Sequence, residues 1–173
     1  MKKDNWILKA FLMTFFIALI FSSASNYLIS KFNNTILLMV LCVIFIGIGI
    51  LFDIIGTAVL TANEASFHAK SAKKIKGSKE GVYLVKNSST IASICNDVIG
   101  DICGIVSGSI GAMLAINIST KLNVSTVIVT LLVSSIISSL TVGGKAIGKK
   151  QAIKNSDSII FVAAKVLSKF KTK

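Results

Sequence analysis

The chain has no proline and no arginine, and among 173 residues it has only seven acidic residues, three cysteines and one histidine. Hydrophobic residues make up 53% of the chain, and the mean hydropathy is +0.80. A soluble domain of this size must present a largely polar surface to water, and this composition does not supply one. The chain is therefore expected to lie in a lipid bilayer.

The scarcity of cysteine and histidine excludes several kinds of site. Cys42, Cys95 and Cys103 are odd in number, form no C-x-x-C pair and fall in apolar segments, so they indicate neither a disulfide framework nor a zinc site. His68 stands alone in a lysine-rich segment and is interpreted as a solvated surface residue. No nucleophile, base and orienting group occur together in a known pattern, so the sequence indicates neither an enzyme nor an organic cofactor.

Four apolar windows are long enough to cross a bilayer, whose hydrocarbon core of about 30 Å needs roughly 20 helical residues. Their apolar residues are continuous rather than alternating, which favours helices over a β-barrel. The sequence therefore predicts an all-α integral membrane protein with four transmembrane helices. The predicted spans are 6–27, 35–62, 90–117 and 124–142.

The first span has a second interpretation. The stretch "MKKDNWILKAFLMTFFIALIFSSASN" has a basic start, an apolar middle and small residues at its end, as in a cleaved signal peptide. Trp6 and Tyr27 are separated by about 31 Å along a helix, which suits interfacial aromatic residues at the two ends of an intact span. Both interpretations leave the other three spans in the same orientation.

The distribution of lysine orients the predicted spans. Seventeen of the nineteen lysines fall on one side, and the two opposite loops hold only Lys31 and Lys121. The positive-inside rule then places both termini and the 64–89 loop in the cytoplasm. A basic set made only of lysine, together with abundant isoleucine and asparagine, is typical of an AT-rich bacterial genome, so a bacterial plasma membrane is expected. The net charge of +12 is a topology signal and does not indicate nucleic-acid binding.

Two lysine-rich cytoplasmic segments are predicted to be amphipathic helices that lie along the membrane rather than separate domains. The first is a helical hairpin at about 64–89, interrupted at Gly77 and Gly81. The second is the C-terminal tail, about 148–173, with lysines on one side and an apolar stripe on another. The stripe consists of Ile159, Ala163, Val166 and Phe170. We expect both segments to contact anionic lipid headgroups.

The third span contains two carboxylates. In "ICNDVIGDICG", Asp97 and Asp101 lie one helical turn apart within an apolar, glycine-rich stretch. An ionised side chain at the bilayer centre costs about 2.5 kcal/mol or more, so both aspartates are expected to face the bundle or a dimer interface. The same span carries a ridge of small residues over which another helix could pack closely. The ridge consists of Gly100, Gly104 and Gly108.

Two other spans add oxygen atoms. Asp53 lies on the second span with Thr57 beside it, and the fourth span carries a hydroxyl stripe that includes Ser134 and Ser138. No lysine falls inside the predicted spans away from their ends, so a cation or protons, rather than ion pairs, are expected to neutralise the aspartates. Oxygen ligands with room for water suit Mg²⁺, and Na⁺ or a relayed proton are alternatives. The aspartates could instead be protonated or bonded to serines and backbone.

The sequence resembles the transmembrane domain of the CNNM/CorB/CorC magnesium transporters, also called DUF21, over about residues 36–170. The resemblance rests on "FDIIGTAVLTANEASFHAKSAKKI" and "ICNDVIGDICGIVSGSIGAMLA". The matching positions are Phe52, Thr57, Ala58, Ala62, Asn63, Ile94 and Asn96. The resemblance implies a three-helix core within residues 31–173, to which the span within residues 1–30 is an addition. It also implies a homodimer that transports Mg²⁺ with Na⁺ coupling.

Carried over by position, the resemblance implies cation ligands at Asp53, Asn96 and Asp97, and it aligns Gly144 with a family glutamate. The chain departs from the family at Gly56, where the family also has glutamate. The CBS and cyclic-nucleotide-binding-like modules that usually follow this domain do not occur in the sequence, so nucleotide regulation is not expected.

Two functions agree with these features. The first is transport of a divalent cation, Mg²⁺ above all, through a site formed by Asp53, Asn96, Asp97 and Asp101. This interpretation requires the acidic side chains to converge on one polar cavity within the membrane. The second is a non-transporting membrane scaffold or regulatory subunit that packs through the glycine ridge.

Overall fold

The computed structural model describes residues 4–31 and 34–171, and every regular element in these ranges is a helix. The elements are α1 (Asp4–Lys31), α2 (Thr35–Thr61), α3 (Glu64–Ala72), α4 (Ser78–Lys86), α5 (Ser88–Ser93), a π-helical segment (Ile94–Gly100), α6 (Asp101–Leu122), α7 (Thr126–Lys154) and α8 (Ser156–Lys171).

Four stretches of helix are long and apolar enough to cross a membrane, so the predicted all-α class with four such helices is confirmed. They are Leu8–Ser25, Thr35–Thr61, Ser88–Leu122 and Thr126–Lys154. The third combines α5, the π-helical segment and α6 in one continuous run.

The last of these helices is longer than predicted. The apolar window ends at residue 142, whereas α7 continues to Lys154. The reason is that "GGKAIGKKQAIK" contains no proline, and lysine, alanine and glutamine are good helix formers. The glycine pair weakens the helix by roughly 1 kcal/mol per residue relative to alanine, but Gly144 leaves space for the side chain of Ile50. The extension places two lysines, Lys145 and Lys149, on the same helix as the fourth span.

One compact unit contains the described residues up to Ile50 together with Val98–Gly144. Its core is built from residues that recur every four positions on α2 and along the third span, which is the spacing of the ridges that interdigitate between packed helices. The core residues are Leu38, Cys42, Ile46, Val98, Ile102, Val106, Ile110 and Leu114. Helix α1 packs against α6, and the ring of Phe21 lies edge-on to that of Phe45 with centroids 6.1 Å apart.

The second unit contains Leu51–Asp97 and the residues from Lys145 onward. In it α4 packs against both α3 and α8 around the ring of Phe67, which is fully buried. Asn63 begins α3: its side chain accepts a hydrogen bond from the N–H of Ala65 at 3.0 Å, and its own N–H donates to Asp157 Oδ1 at 2.8 Å. The first turns of α3 and α8 are therefore tied together.

The predicted hairpin of two short helices is confirmed, with one correction. The turn contains Gly77, whose φ of +89° lies in the left-handed region that glycine adopts without strain. The prediction that Gly81 also breaks the helix is wrong, because Gly81 lies inside α4. A side chain at this position would collide with the ring of Phe67, so the glycine allows α3 to approach α4 closely.

The predicted apolar stripe of the tail is distinct from the residues of α8 that are fully buried. The residues of α8 that face the core are Ile160, Ala164 and Ser168, whereas Val166 and Phe170 of the predicted stripe are exposed. Helices α3, α4 and α8 share this buried core, so the hairpin and the tail pack together in one compact unit.

We expect Phe67→Ala to lower the free energy of unfolding by about 3–5 kcal/mol, because the substitution empties the centre of the second unit's core. Tyr83→Ala is the matched control, since Tyr83 lies on α4 with 59% of its surface exposed. Thermal unfolding of the two purified variants in detergent measures the difference. Equal stabilities would contradict this description of the core.

Candidate functional site

Asp53 is a buried carboxylate in an apolar stretch of α2. Only 3% of the residue is exposed, and its neighbours in "ILFDIIG" are apolar. Two ammonium groups from one face of α7 lie close to it: Lys145 Nζ is 3.9 Å from Oδ1, and Lys149 Nζ is 3.7 Å from Oδ2. The expectation that no lysine reaches the aspartates is therefore wrong for Asp53. The cause is the extension of α7 beyond the predicted end of its span.

The two lysines compensate the charge of Asp53 without bonding tightly to it. A charge-assisted N–H···O⁻ hydrogen bond has a donor–acceptor distance of about 2.7–2.9 Å, and both separations here are longer. Asp53 Oδ2 is buried and has no hydrogen-bond partner. The carboxylate thus lies in a positive field with one oxygen still available as a ligand.

The π-helical segment Ile94–Gly100 contains Asn96 and Asp97, and it approaches α2 at Gly56, three residues after this carboxylate. Short π-helical turns in otherwise α-helical runs occur frequently at functional sites. The amide oxygen of Asn96 is buried without a hydrogen-bond partner. It lies against Gly56 of α2, where a Cβ atom would collide with the amide. A residue other than glycine at position 56 would therefore displace this side chain.

Helix geometry brings Asp53 and Asn96 together. Gly56 follows Asp53 by three residues on α2, so the two positions are neighbours on the helix surface, with side-chain origins about 5–6 Å apart. Because Asn96 rests on Gly56, its amide oxygen lies about one helical turn from the carboxylate. Thr57 is half-buried one position further along α2. The site therefore offers two buried oxygens from two helices, with two ammonium groups nearby.

The other predicted ligands have different surroundings. Asp97 is exposed, and Asp101, also exposed, is the first residue of α6 and belongs to the first unit. Within residues 4–31 and 34–171 there is no group of three or more His, Cys, Asp or Glu side chains that could hold a metal ion. The expected convergence of three carboxylates is therefore not found in this part of the chain, and the roles of Asp97 and Asp101 as ligands stay predictions.

The predicted glycine ridge and hydroxyl stripe line a groove in the first unit with a volume of about 240 Å³. The lining residues are Gly104, Ser107, Gly108, Ser134, Ile137, Ser138, Thr141 and Val142. A Cβ atom at Gly104 or Gly108 would meet nothing within 4 Å, so this part of the ridge is uncovered. Gly100 is different: it is buried, and its carbonyl oxygen would lie 3.5 Å from a Cβ atom at Gly49.

Three further sequence predictions have structural outcomes. The side chain of His68 is 60% exposed and lies 3.2 Å from Glu64 Oε1, which confirms it as a surface residue. The cysteines are free and buried, as expected of packing residues. Gly144, aligned with a family glutamate, contacts the apolar side chain of Ile50 and supplies no ligand atom.

Sequence reasoning missed Lys145 and Lys149. Their spacing of four residues would place them on one face of a helix, and no helix-terminating residue separates them from the fourth span. The spacing and the missing helix terminator are both visible in the sequence, but the two lysines lie beyond residue 142, where the apolar window that defined the fourth span ends.

Comparison of the chain with protein-family models, with curated proteins and with solved structures gives no match. The resemblance to the CNNM/CorB/CorC transmembrane domain therefore rests on the motifs quoted above.

We expect Gly56→Ala to destabilise the chain by about 1–3 kcal/mol, because the new methyl group must displace the buried amide of Asn96. Gly47→Ala is the control on the same helix, since a Cβ atom there would meet nothing within 4 Å. Thermal unfolding of the two purified variants measures the difference in their stability. A Gly56→Ala protein as stable as Gly47→Ala would show that Asn96 does not rest on Gly56.

Proposed function

We propose that this chain is a membrane transporter of a hard divalent cation, with Mg²⁺ as the best-fitting ion, and that Asp53 and Asn96 hold the ion during passage. One observation supports this most: two buried oxygens without hydrogen-bond partners, Asp53 Oδ2 and Asn96 Oδ1, lie on adjacent helices beside a π-helical turn. Carboxylate and amide oxygens are hard ligands, and Mg²⁺ retains several waters, so it needs few protein ligands.

The two lysines give this proposal a mechanism. In the absence of a metal ion, Lys145 and Lys149 supply the positive charge beside Asp53. Both nitrogen–oxygen separations exceed 3.5 Å, so the two ammonium groups can move away from Asp53 without breaking a short hydrogen bond to its carboxylate. One divalent ion then replaces two ammonium charges, so the exchange leaves the local charge unchanged. A monovalent ion does not balance this exchange, which favours a divalent cargo.

The resemblance to magnesium transporters adds further parts to the proposal. The chain acts as a homodimer in a bacterial plasma membrane with both termini in the cytoplasm, and Na⁺ movement is coupled to Mg²⁺ movement. Asp97, next to Asn96 in the π-helical segment, and Asp101 then serve as additional ligands along the path.

A second candidate function is a non-transporting scaffold or regulatory subunit. It is favoured by the uncovered groove at Gly104 and Gly108, where the helix surface is open for close approach by another helix. The two functions differ in whether the isolated chain moves ions.

Flux of Mg²⁺, Mn²⁺ and Na⁺ into proteoliposomes tests transport directly. We expect Mg²⁺ uptake by the intact chain and a loss of about tenfold or more in Asp53→Asn, which keeps the size of the side chain and removes its charge, as is typical of removing a group that contacts a charged substrate. Glu64→Gln, which removes an exposed carboxylate, is the control and should transport normally. Absence of flux in the intact chain under every gradient would favour the scaffold.

Replacement of both lysines by methionine should make stability depend on divalent cations. The variant leaves Asp53 buried and uncompensated, a state that costs about 3–5 kcal/mol in other buried ion pairs, and a bound cation would relieve it. We expect Mg²⁺ to raise the unfolding temperature of Lys145→Met/Lys149→Met more than that of the parent chain. Lys150→Met, an exposed position on the same helix, should respond like the parent. The same response to Mg²⁺ in all three proteins would contradict the exchange mechanism.

A further inference from the structure

Helix α8 is apolar on two faces, and only one of them is used by the core of the second unit. Ile160 and Ala164 face inward and are fully buried. On another side of the helix, Val162, Val166 and Phe170 recur every four residues and are 62%, 52% and 82% exposed. These three residues form the outward ridge of α8. They take part neither in the core nor in the proposed cation site.

A basic ridge runs beside the outward ridge. Lys165 and Lys169 each follow one of its valines by three residues, so they are exposed neighbours on the helix surface. The ammonium of Lys165 lies 4.5 Å from the centroid of the Phe161 ring, four residues earlier on α8. The whole unit is basic, since fourteen of the nineteen lysines and only five of the seven acidic residues fall within it.

We infer that the outward ridge and the basic ridge together bind the anionic surface of a lipid bilayer. Phe170 and the two valines insert at the boundary between headgroups and acyl chains, and the lysines contact the phosphate groups. A parallel pair of apolar and basic ridges on one helix is the pattern of interfacial membrane binding. The lysine excess of the unit favours an anionic lipid surface over a second copy of the same basic chain.

An environment-sensitive fluorophore attached to single introduced cysteines tests this inference in the full-length chain. The native cysteines are buried, so Phe170→Cys provides the accessible thiol. Ser158→Cys is the comparison position, because Ser158 is an exposed residue near the opposite end of α8, about 18 Å from position 170 along the helix. The labelled chains are placed in nanodiscs of phosphatidylcholine with or without about 30 mol% phosphatidylglycerol. The nanodiscs also contain lipids that carry a quencher on the upper part of the acyl chain.

We expect the quenching lipid to reduce the emission at position 170 at least about twofold more than at position 158, with a larger difference when phosphatidylglycerol is present. Lys165→Gln with Lys169→Gln should remove the effect of phosphatidylglycerol. Weak, equal quenching at both positions would overturn the inference. If the fluorophore at position 170 is shielded from solvent only in larger discs that hold two chains, the outward ridge contacts a second copy of the chain and not the lipid, which would overturn the inference. Quenching that is insensitive to headgroup charge would overturn the role of the lysines.

Discussion

The buried carboxylate of Asp53 is the constraint on which the other features of this chain depend. A charge that is 97% withdrawn from solvent is costly unless other groups compensate it. Here the compensation comes from two lysines on a different helix, at 3.9 and 3.7 Å. Their distance leaves the carboxylate in a positive field, with Oδ2 lacking a hydrogen-bond partner. Such a group can hold its helix in place, and under the proposed function it exchanges its ammonium partners for a cation, so the same residue bears on both structure and proposed function.

Glycines determine how the neighbouring helices approach this region and the groove of the first unit. At Gly56 the missing side chain makes room for the amide of Asn96, and at Gly81 it makes room for Phe67. At Gly104 and Gly108 the corresponding space is not filled. Glycines in the first group therefore fix internal packing, whereas those in the second leave a surface on which another helix could pack. This contrast separates the residues that support the transport proposal from those that support the scaffold.

The class of fold could be predicted because it depends on the mean hydropathy of long segments. A window of roughly 20 apolar residues identifies a membrane-length helix whichever helices pack against it. Details that depend on which residues pack against one another could not be predicted. Ile159 and Ile160 are equally apolar, and only the packing of the second unit's core decides that Ile160 is the one fully buried. Gly81 was expected to interrupt a helix. A glycine destabilises a helix by only about 1 kcal/mol, which is less than the burial of an aromatic ring contributes to the stability of the fold. The π-helical turn at Asn96 has no signal in the sequence.

The candidate site was predicted in part. Asp53 was singled out because a carboxylate in an apolar span requires an explanation, and Asn96 because it matches the family motif; the structure places Asn96 against Gly56, three residues after Asp53. The lysines were missed because hydropathy marks the end of an apolar window and not the end of a helix.

Anomalous X-ray scattering from crystals grown with Mn²⁺ in place of Mg²⁺ tests the central claim most directly. The account predicts a Mn²⁺ ion about 2.1 Å from oxygens of Asp53 and Asn96, with the ammonium groups of Lys145 and Lys149 moved away. Mn²⁺ bound elsewhere, with both lysines still beside Asp53, would contradict it.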